Sequence, residues 1–415
     1  MKKLLLVSAL LVFALPARAA DPLPRATPES VGLSPERLAR IGAMVETEVR
    51  EGRMPGAVIA IARHGKLAYF EAHGFQDGGR SKPMPRDAIF PIASMTKVLT
   101  GATLMSVLEE GRVSLWDPVS RFFPAFAEMR VAVDGNPDAT VPAAHPIRVI
   151  DLARHTSGIV YGNRGNTPAH QLWQRSLGGY SRMSGADFIA TMAKLPLLHQ
   201  PGTTWEYGLS IDVLGLVIEE RTDKSLGEAM AERILRPLGM QDTGFLVPEN
   251  QRGRYATPLP KDPVTGQNQD VRVGLVTPGF EGGGGQAVST AADYIRFAQM
   301  LLNGGTLDGK RVLSRKSVEE MTRDHLSPDI ANNVTRTEPQ LTNFGFGVTV
   351  AVRREGGSDV LGSPGMFTWN GAYGTSMWVD PKEELAVVFM ASTPGLIRQH
   401  YRRMVNALVY GAIAD

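Results

Sequence analysis

Ser94-Met95-Thr96-Lys97 is the segment of this 415-residue chain with the clearest chemical content. A serine and a lysine three residues apart share one face of a helix, so the amine lies within reach of the hydroxyl. The segment follows an apolar, strand-like run at residues 89–93 and opens a helix predicted over residues 94–110, with Gly111 as its stop. Ser94 then sits in the first turn, where unpaired N–H groups and the helix dipole favour a developing negative charge. Lys97 is placed to serve as its base. Taken alone, the same residues also fit an N-capping serine with a surface lysine one turn on.

Two further segments offer matching chemistry. Tyr207 lies in Trp205-Glu206-Tyr207-Gly208-Leu209-Ser210, after the turn Gln200-Pro201-Gly202 and just before a helix predicted from residue 211. A tyrosine there can point its phenol into a cleft and relay protons beside a charged lysine. The plainer alternative is a buried aromatic with a satisfied hydroxyl. Trp369-Asn370-Gly371-Ala372 lies inside a strand-like run at residues 367–379. Gly371 allows a ligand to approach the backbone, and the Ala372 N–H would pair with that of Ser94 as an oxyanion hole. A glycine marking a bulge is the alternative.

Other chemistries find less support. The eight histidines are scattered, with no H-E-x-x-H or short paired spacing, so no metal is expected. No serine occupies G-x-S-x-G. Residues 282–287 fit G-x-G-x-x-A, but no convincing strand precedes them, which argues against a dinucleotide cofactor. The chain has no cysteine, hence no thiol nucleophile and no disulfide. His155 suits a general base by residue type. Trp116, Tyr161, Trp173 and Tyr373 are candidates for an acyl pocket or for ordinary core.

The elements that must hold these residues are an α/β (α+β) set. Ser34-Pro35-Glu36 opens a helix, and runs at 57–62 and 67–72 joined by His64-Gly65-Lys66 predict a hairpin. Helical patches at 147–154, 185–193, 211–222 and 226–235 alternate with loops, and no clear strand run is visible between about 115 and 280. Gly282 to Gly285 precede a helix over about 290–302. Strand-like runs follow at 345–352, 367–379 and 385–390, then a closing helix at 396–410. This order predicts one sheet assembled from both chain ends (20–114 and 285–415) with a mainly helical subdomain inserted at 115–284.

The first residues change the charge balance. Lys2 and Lys3 precede an apolar stretch ending near Leu15, followed by Ala17-Arg18-Ala19, the layout of a secretory signal peptide cleaved after Ala19. Its loss removes Lys2, Lys3 and Arg18 but no acid, which turns the formal charge from +2 to −1. A periplasmic or secreted protein is expected, with neither nucleic acid nor membrane as partner once the signal is gone.

The order Ser94-Met95-Thr96-Lys97, Tyr207, Trp369-Asn370-Gly371 resembles the serine β-lactamase and penicillin-binding superfamily. Within it the chain is most similar to class C β-lactamase-like esterases, the family VIII carboxylesterases. The likeness spans nearly the whole mature chain, including Leu152-Ala153-Arg154-His155-Thr156-Ser157-Gly158, the tetraglycine and residues 369–381. It implies an antiparallel sheet flanked by helices, a nucleophilic Ser94, a Lys97/Tyr207 base pair, and a supporting role for the His155 loop. It implies neither metal nor organic cofactor. Two departures matter. Leu209 stands where β-lactamases and carboxypeptidases carry an Asn, and Trp369 stands where they carry the Lys of Lys-Thr-Gly. That lysine would have met a substrate carboxylate. Trp369 and Gly371 are therefore expected to bind neutral acyl esters, so the implied partner is a small-molecule ester. A β-lactamase, a D-amino-acid peptidase, an acyltransferase and a penicillin sensor that acylates without turnover are the alternatives.

Overall fold

Residues 57–62 and 385–390 are unbroken apolar runs, the pattern of strands covered on both faces. In the computed structural model, which describes residues 21–415, they pair antiparallel, with Val58 opposite Met390 and Ala60 opposite Val388. They lie within a seven-stranded antiparallel sheet. From edge to edge its strands are Lys66–Gly74, Gly56–Arg63, Leu385–Ala391, Ser376–Asp380, Phe367–Asn370, Ala351–Arg353 and Phe344–Phe346. The proposed signal peptide lies outside the described residues. The hairpin at His64-Gly65 turns through two left-handed residues, φ 52° and 74°, matching the twist of its strands.

Helix Ala291–Leu302 packs against the three strands Gly56–Arg63, Ser376–Asp380 and Leu385–Ala391. Helix Pro35–Arg50, capped by Ser34, packs against the first hairpin and beside the C-terminal helix Arg398–Tyr410. Helices Thr96–Glu109 and Ser210–Thr222 lie against each other and are buried almost all round, so neither has a polar stripe.

Three expectations about strands are corrected. The run 345–352 is two short strands, Phe344–Phe346 and Ala351–Arg353, folded back antiparallel with Ala351 opposite Phe346. The stretch read as strandless holds a hairpin, Arg130–Val133 with Asn136–Pro142, turned at Asp134-Gly135 with φ 51° and 72°. Its second strand is largely exposed and contains two prolines, so it has no apolar run to betray it. The run 367–379 is two strands, not one. Gly371 N–H donates to Thr375 O at 2.8 Å, and the left-handed Gly374 completes the reversal. Helix Pro168–Leu177 is an element missing from the expected set, although Ala169, Leu172, Trp173 and Leu177 follow helical spacing behind the N-cap Thr167.

Candidate active site

Ser94 is delivered by a turn of 3-10 helix, Ala93–Met95, that precedes helix Thr96–Glu109. Ala93 adopts φ 44°, a left-handed conformation costing about 1–3 kcal/mol for a residue with a Cβ. Lys97, one turn on, is fully buried. Its Nζ donates to Ser94 Oγ at 3.3 Å, to Tyr161 Oη at 3.4 Å, and to Gly284 O. Tyr207 Oη is 2.7 Å from Ser94 Oγ. Residues that lie far apart in the chain thus converge on one hydroxyl.

An aromatic box fixes the Tyr207 ring. Its centroid is 4.7 Å from that of His155, 5.4 Å from Tyr161 and Trp369, and 5.9 Å from Trp205, on which it stacks. Two cations lie over the ring, Lys97 Nζ at 4.7 Å and Arg164 Cζ at 4.8 Å from the centroid. Both are attracted by the ring face. Burial holds the phenols of Tyr161 and Tyr180 well above their ordinary range, so both stay neutral.

Trp369, expected to meet substrate, is 1% exposed, and its indole N–H donates to Tyr207 Oη at 3.4 Å. Gly371, expected beside it, uses its N–H within the turn. A Cβ there would lie 2.4 Å from Ile92 O, so only glycine lets this strand end approach the serine turn. Arg402 fixes that strand end by donating to Gly371 O at 2.6 Å. Its other nitrogen reaches Glu338 at 2.7 Å, and Glu338 also accepts from Asn370. The N–H groups of Ser94 and Ala372 have no hydrogen-bond partner among the described residues.

Residues 41–410 match the family described as Beta-lactamase. The chain belongs to the β-lactamase family. Protein Rv1367c of Mycobacterium tuberculosis is 38% identical over 348 residues, 82% of this chain and 86% of that one. Esterase EstB of Burkholderia gladioli is 30% identical over 374 residues, 86% and 90% of the two chains. The solved structure of EstCE1, a hydrolase with promiscuous acyltransferase activity, matches with TM-score 0.74 at 26% identity, over 91% of this chain and 99% of its own. The fold is that of β-lactamases and penicillin-binding proteins. The chain is accordingly an enzyme of a serine hydrolase family with esterase homologues. Among the described residues, no helix is long and apolar enough to cross a membrane.

Within this family member, His155 is fully buried, and neither ring nitrogen has a partner among the described residues. Burial keeps its imidazole neutral, with Lys97 acting in the same direction. It packs on Tyr207 as a wall of the box. Trp173 is core, with its N–H on Pro196 O. Trp116 is 62% exposed, with the Arg148 guanidinium over its ring.

Sequence reasoning missed the placement of Tyr161 against Lys97, and it missed Arg164 and Asp212 altogether. Asp212 is a fully buried acid in an otherwise apolar stretch of helix Ser210–Thr222, and that is the signal which could have found it. Its Oδ1 accepts Gly284 N–H at 3.1 Å, and its Oδ2 has no partner among the described residues. Side chains at Gly282 or Gly284 would collide with it, so the tetraglycine lets this acid and the Lys97 acceptor Gly284 O share one small space.

Burial pushes the Asp212 carboxyl up from 3.8 to about 6, with Lys97 opposing. The folded protein therefore keeps a proton that the unfolded chain releases in that window, and stability falls as pH rises through it. Asp293 carries a similar burial shift, so a variant is needed to isolate Asp212. Asp212→Asn is expected to gain stability on the parent protein between pH 4 and pH 7, by up to about 3 kcal/mol, read as a narrowing or reversed difference in melting temperature. Parallel melting curves across that range would refute a buried, titrating Asp212.

Proposed function

We propose that this enzyme is an exported serine esterase hydrolysing small to medium carboxylic esters through an acyl-enzyme on Ser94. The observation that carries the proposal is the 2.7 Å contact of Tyr207 Oη with Ser94 Oγ, with Lys97 Nζ 3.3 Å from the same oxygen. Ser94 Oγ attacks the ester carbonyl as its proton passes to the Tyr207/Lys97 pair. The unpartnered N–H groups of Ser94 and Ala372 receive the developing oxyanion, a contribution worth several kcal/mol in such sites. The C–O bond of the alcohol breaks, and Tyr207 returns the proton to the departing oxygen. Water then enters and attacks the acyl carbonyl as its proton passes to the same pair, the acyl C–Oγ bond breaks, and the pair returns the proton to Ser94 Oγ. Trp369 acts by holding Tyr207 through its indole N–H rather than by touching substrate.

Esters are favoured over β-lactams because the position of the Lys-Thr-Gly lysine is a buried tryptophan and Leu209 replaces the amide-holding Asn. The esterase relative EstB supports the same reading. Cleavage after Ala19 would release the protein into the periplasm or medium. The test is turnover of p-nitrophenyl esters from acetate to octanoate against nitrocefin. Ester turnover with kcat/KM at least a hundredfold above that for nitrocefin is expected. Comparable values would move the enzyme to the β-lactamase side.

A further inference from the structure

A cavity of about 600 Å³ lies next to the cluster without including Ser94, Lys97 or Tyr207 in its lining. It joins the site through two residues. Glu206 lines it and immediately precedes Tyr207. Arg164 also lines it, and its guanidinium rests 4.8 Å from the centroid of the Tyr207 ring. Arg164 Nη1 donates to Thr337 Oγ1 at 3.3 Å, so the side chain bridges from the loop after Tyr161 to helix Val334–Thr337. Arg336, on the same short helix, lines the cavity at that end.

Neither Arg164 nor Arg336 has a carboxylate within 4 Å, and the Arg336 side chain makes no polar contact among the described residues. Two acids also line the cavity: Glu206, which faces His199 at 3.7 Å, and Asp134, exposed at the hairpin turn with no cation within 4 Å among the described residues. His170, 5% exposed, lines the far side and leaves Nε2 without a partner, with Nδ1 on Thr167 Oγ1 at 2.8 Å. Two unpaired guanidiniums at one end of a cavity of ligand size present a forked donor set suited to a carboxylate.

The position relative to Tyr207 says which part of a substrate enters. The departing alcohol oxygen must reach Tyr207 Oη to take its proton, and the cavity is bounded by Glu206, next to Tyr207 in the chain, and by Arg164, over the Tyr207 ring. We infer that the cavity is an alcohol-side subsite for hydroxy acids, with the carboxylate held by Arg164 and Arg336. The inference rests on the acyl-enzyme reading for its direction. In hydrolysis, the ester C–O bond breaks, Ser94 Oγ keeps the acyl group, and Tyr207 protonates the released hydroxy acid. In reverse, the hydroxyl of a bound hydroxy acid gives its proton to Tyr207, forms a new ester bond, and Ser94 Oγ regains the proton.

Two readouts separate this inference from the esterase reading. The first is kcat/KM for 4-(butyryloxy)butanoate against butyl butyrate, which differ by the terminal carboxylate. At least a tenfold preference for the anion is expected, falling to near unity in Arg336→Gln, with p-nitrophenyl butyrate hydrolysis unchanged. The second is calorimetric binding of 4-hydroxybutanoate to the Ser94→Ala protein, which needs no turnover. Affinity should weaken at least tenfold with Arg336→Gln added and should fall as salt rises. No binding, or a preference that survives Arg336→Gln, overturns the subsite. Binding without any esterase activity in the parent protein would keep the subsite and defeat the Ser94 reading alone.

Discussion

Replacing Ser94 by alanine is expected to lower kcat/KM for p-nitrophenyl butyrate by about 10⁴–10⁶-fold. The size follows from what is left behind. Without Oγ no covalent intermediate forms, and the two N–H groups and the cleft supply only the residual catalysis that such sites keep after losing a nucleophile. The fold should be untouched. Ser94 is half-buried, and Lys97 retains Gly284 O and Tyr161 Oη as partners. Melting temperature should therefore stay close to that of the parent. The discriminating measurement is the intact mass after mixing with substrate, together with the steady-state rate. The parent should gain one acyl group and the variant none. Ester hydrolysis persisting in a well-folded Ser94→Ala protein would mean that another residue carries the reaction.

Such a test is possible because part of the site follows from local rules. The three-residue spacing of Ser94 and Lys97 is a helix-face statement, and the structure puts the two polar atoms 3.3 Å apart. The central strands are equally local, since a strand covered on both faces has to be apolar at every position. What could not be read is everything set by long-range approach. Trp369 sits in a strand-like run that suits a ligand contact. Its burial comes from Phe346, Trp205 and Tyr207, which are brought to it by other segments. Arg164 lies in a polar loop of Gly and Asn that carries no pattern, yet its guanidinium ends on Tyr207. The 367–379 run looks continuous because Tyr373 and Thr375 have side chains common in strands. Only Gly371 and Gly374 mark the reversal, and only Ile92 O explains why the first must be glycine. Asp134-Gly135 was a stronger turn signal than the runs around it, and it does close a hairpin.

Tyr207→Phe is the second large effect, and it bears on mechanism rather than on the identity of the nucleophile. Phenylalanine keeps the ring that His155, Trp205 and Trp369 enclose, and removes only the oxygen that lies 2.7 Å from Ser94 Oγ. Loss of a positioned acid–base group lowers kcat by about 10²–10⁴-fold. KM should change little, because the oxygen is proposed to move protons rather than to bind substrate. The indole N–H of buried Trp369 loses its acceptor, which should cost about 1–3 kcal/mol of stability, visible as a lower melting temperature. The leaving group then separates two roles. p-Nitrophenolate departs as a stable anion without needing a proton, whereas an alkoxide from butyl butyrate needs one. If Tyr207 is the acid, its loss should slow acylation by the butyl ester at least tenfold more than acylation by the nitrophenyl ester. Equal losses on both esters would leave Tyr207 as a base for Ser94 only. The proton for the departing alcohol would then have to come from Lys97, the other donor within 3.3 Å of the nucleophile.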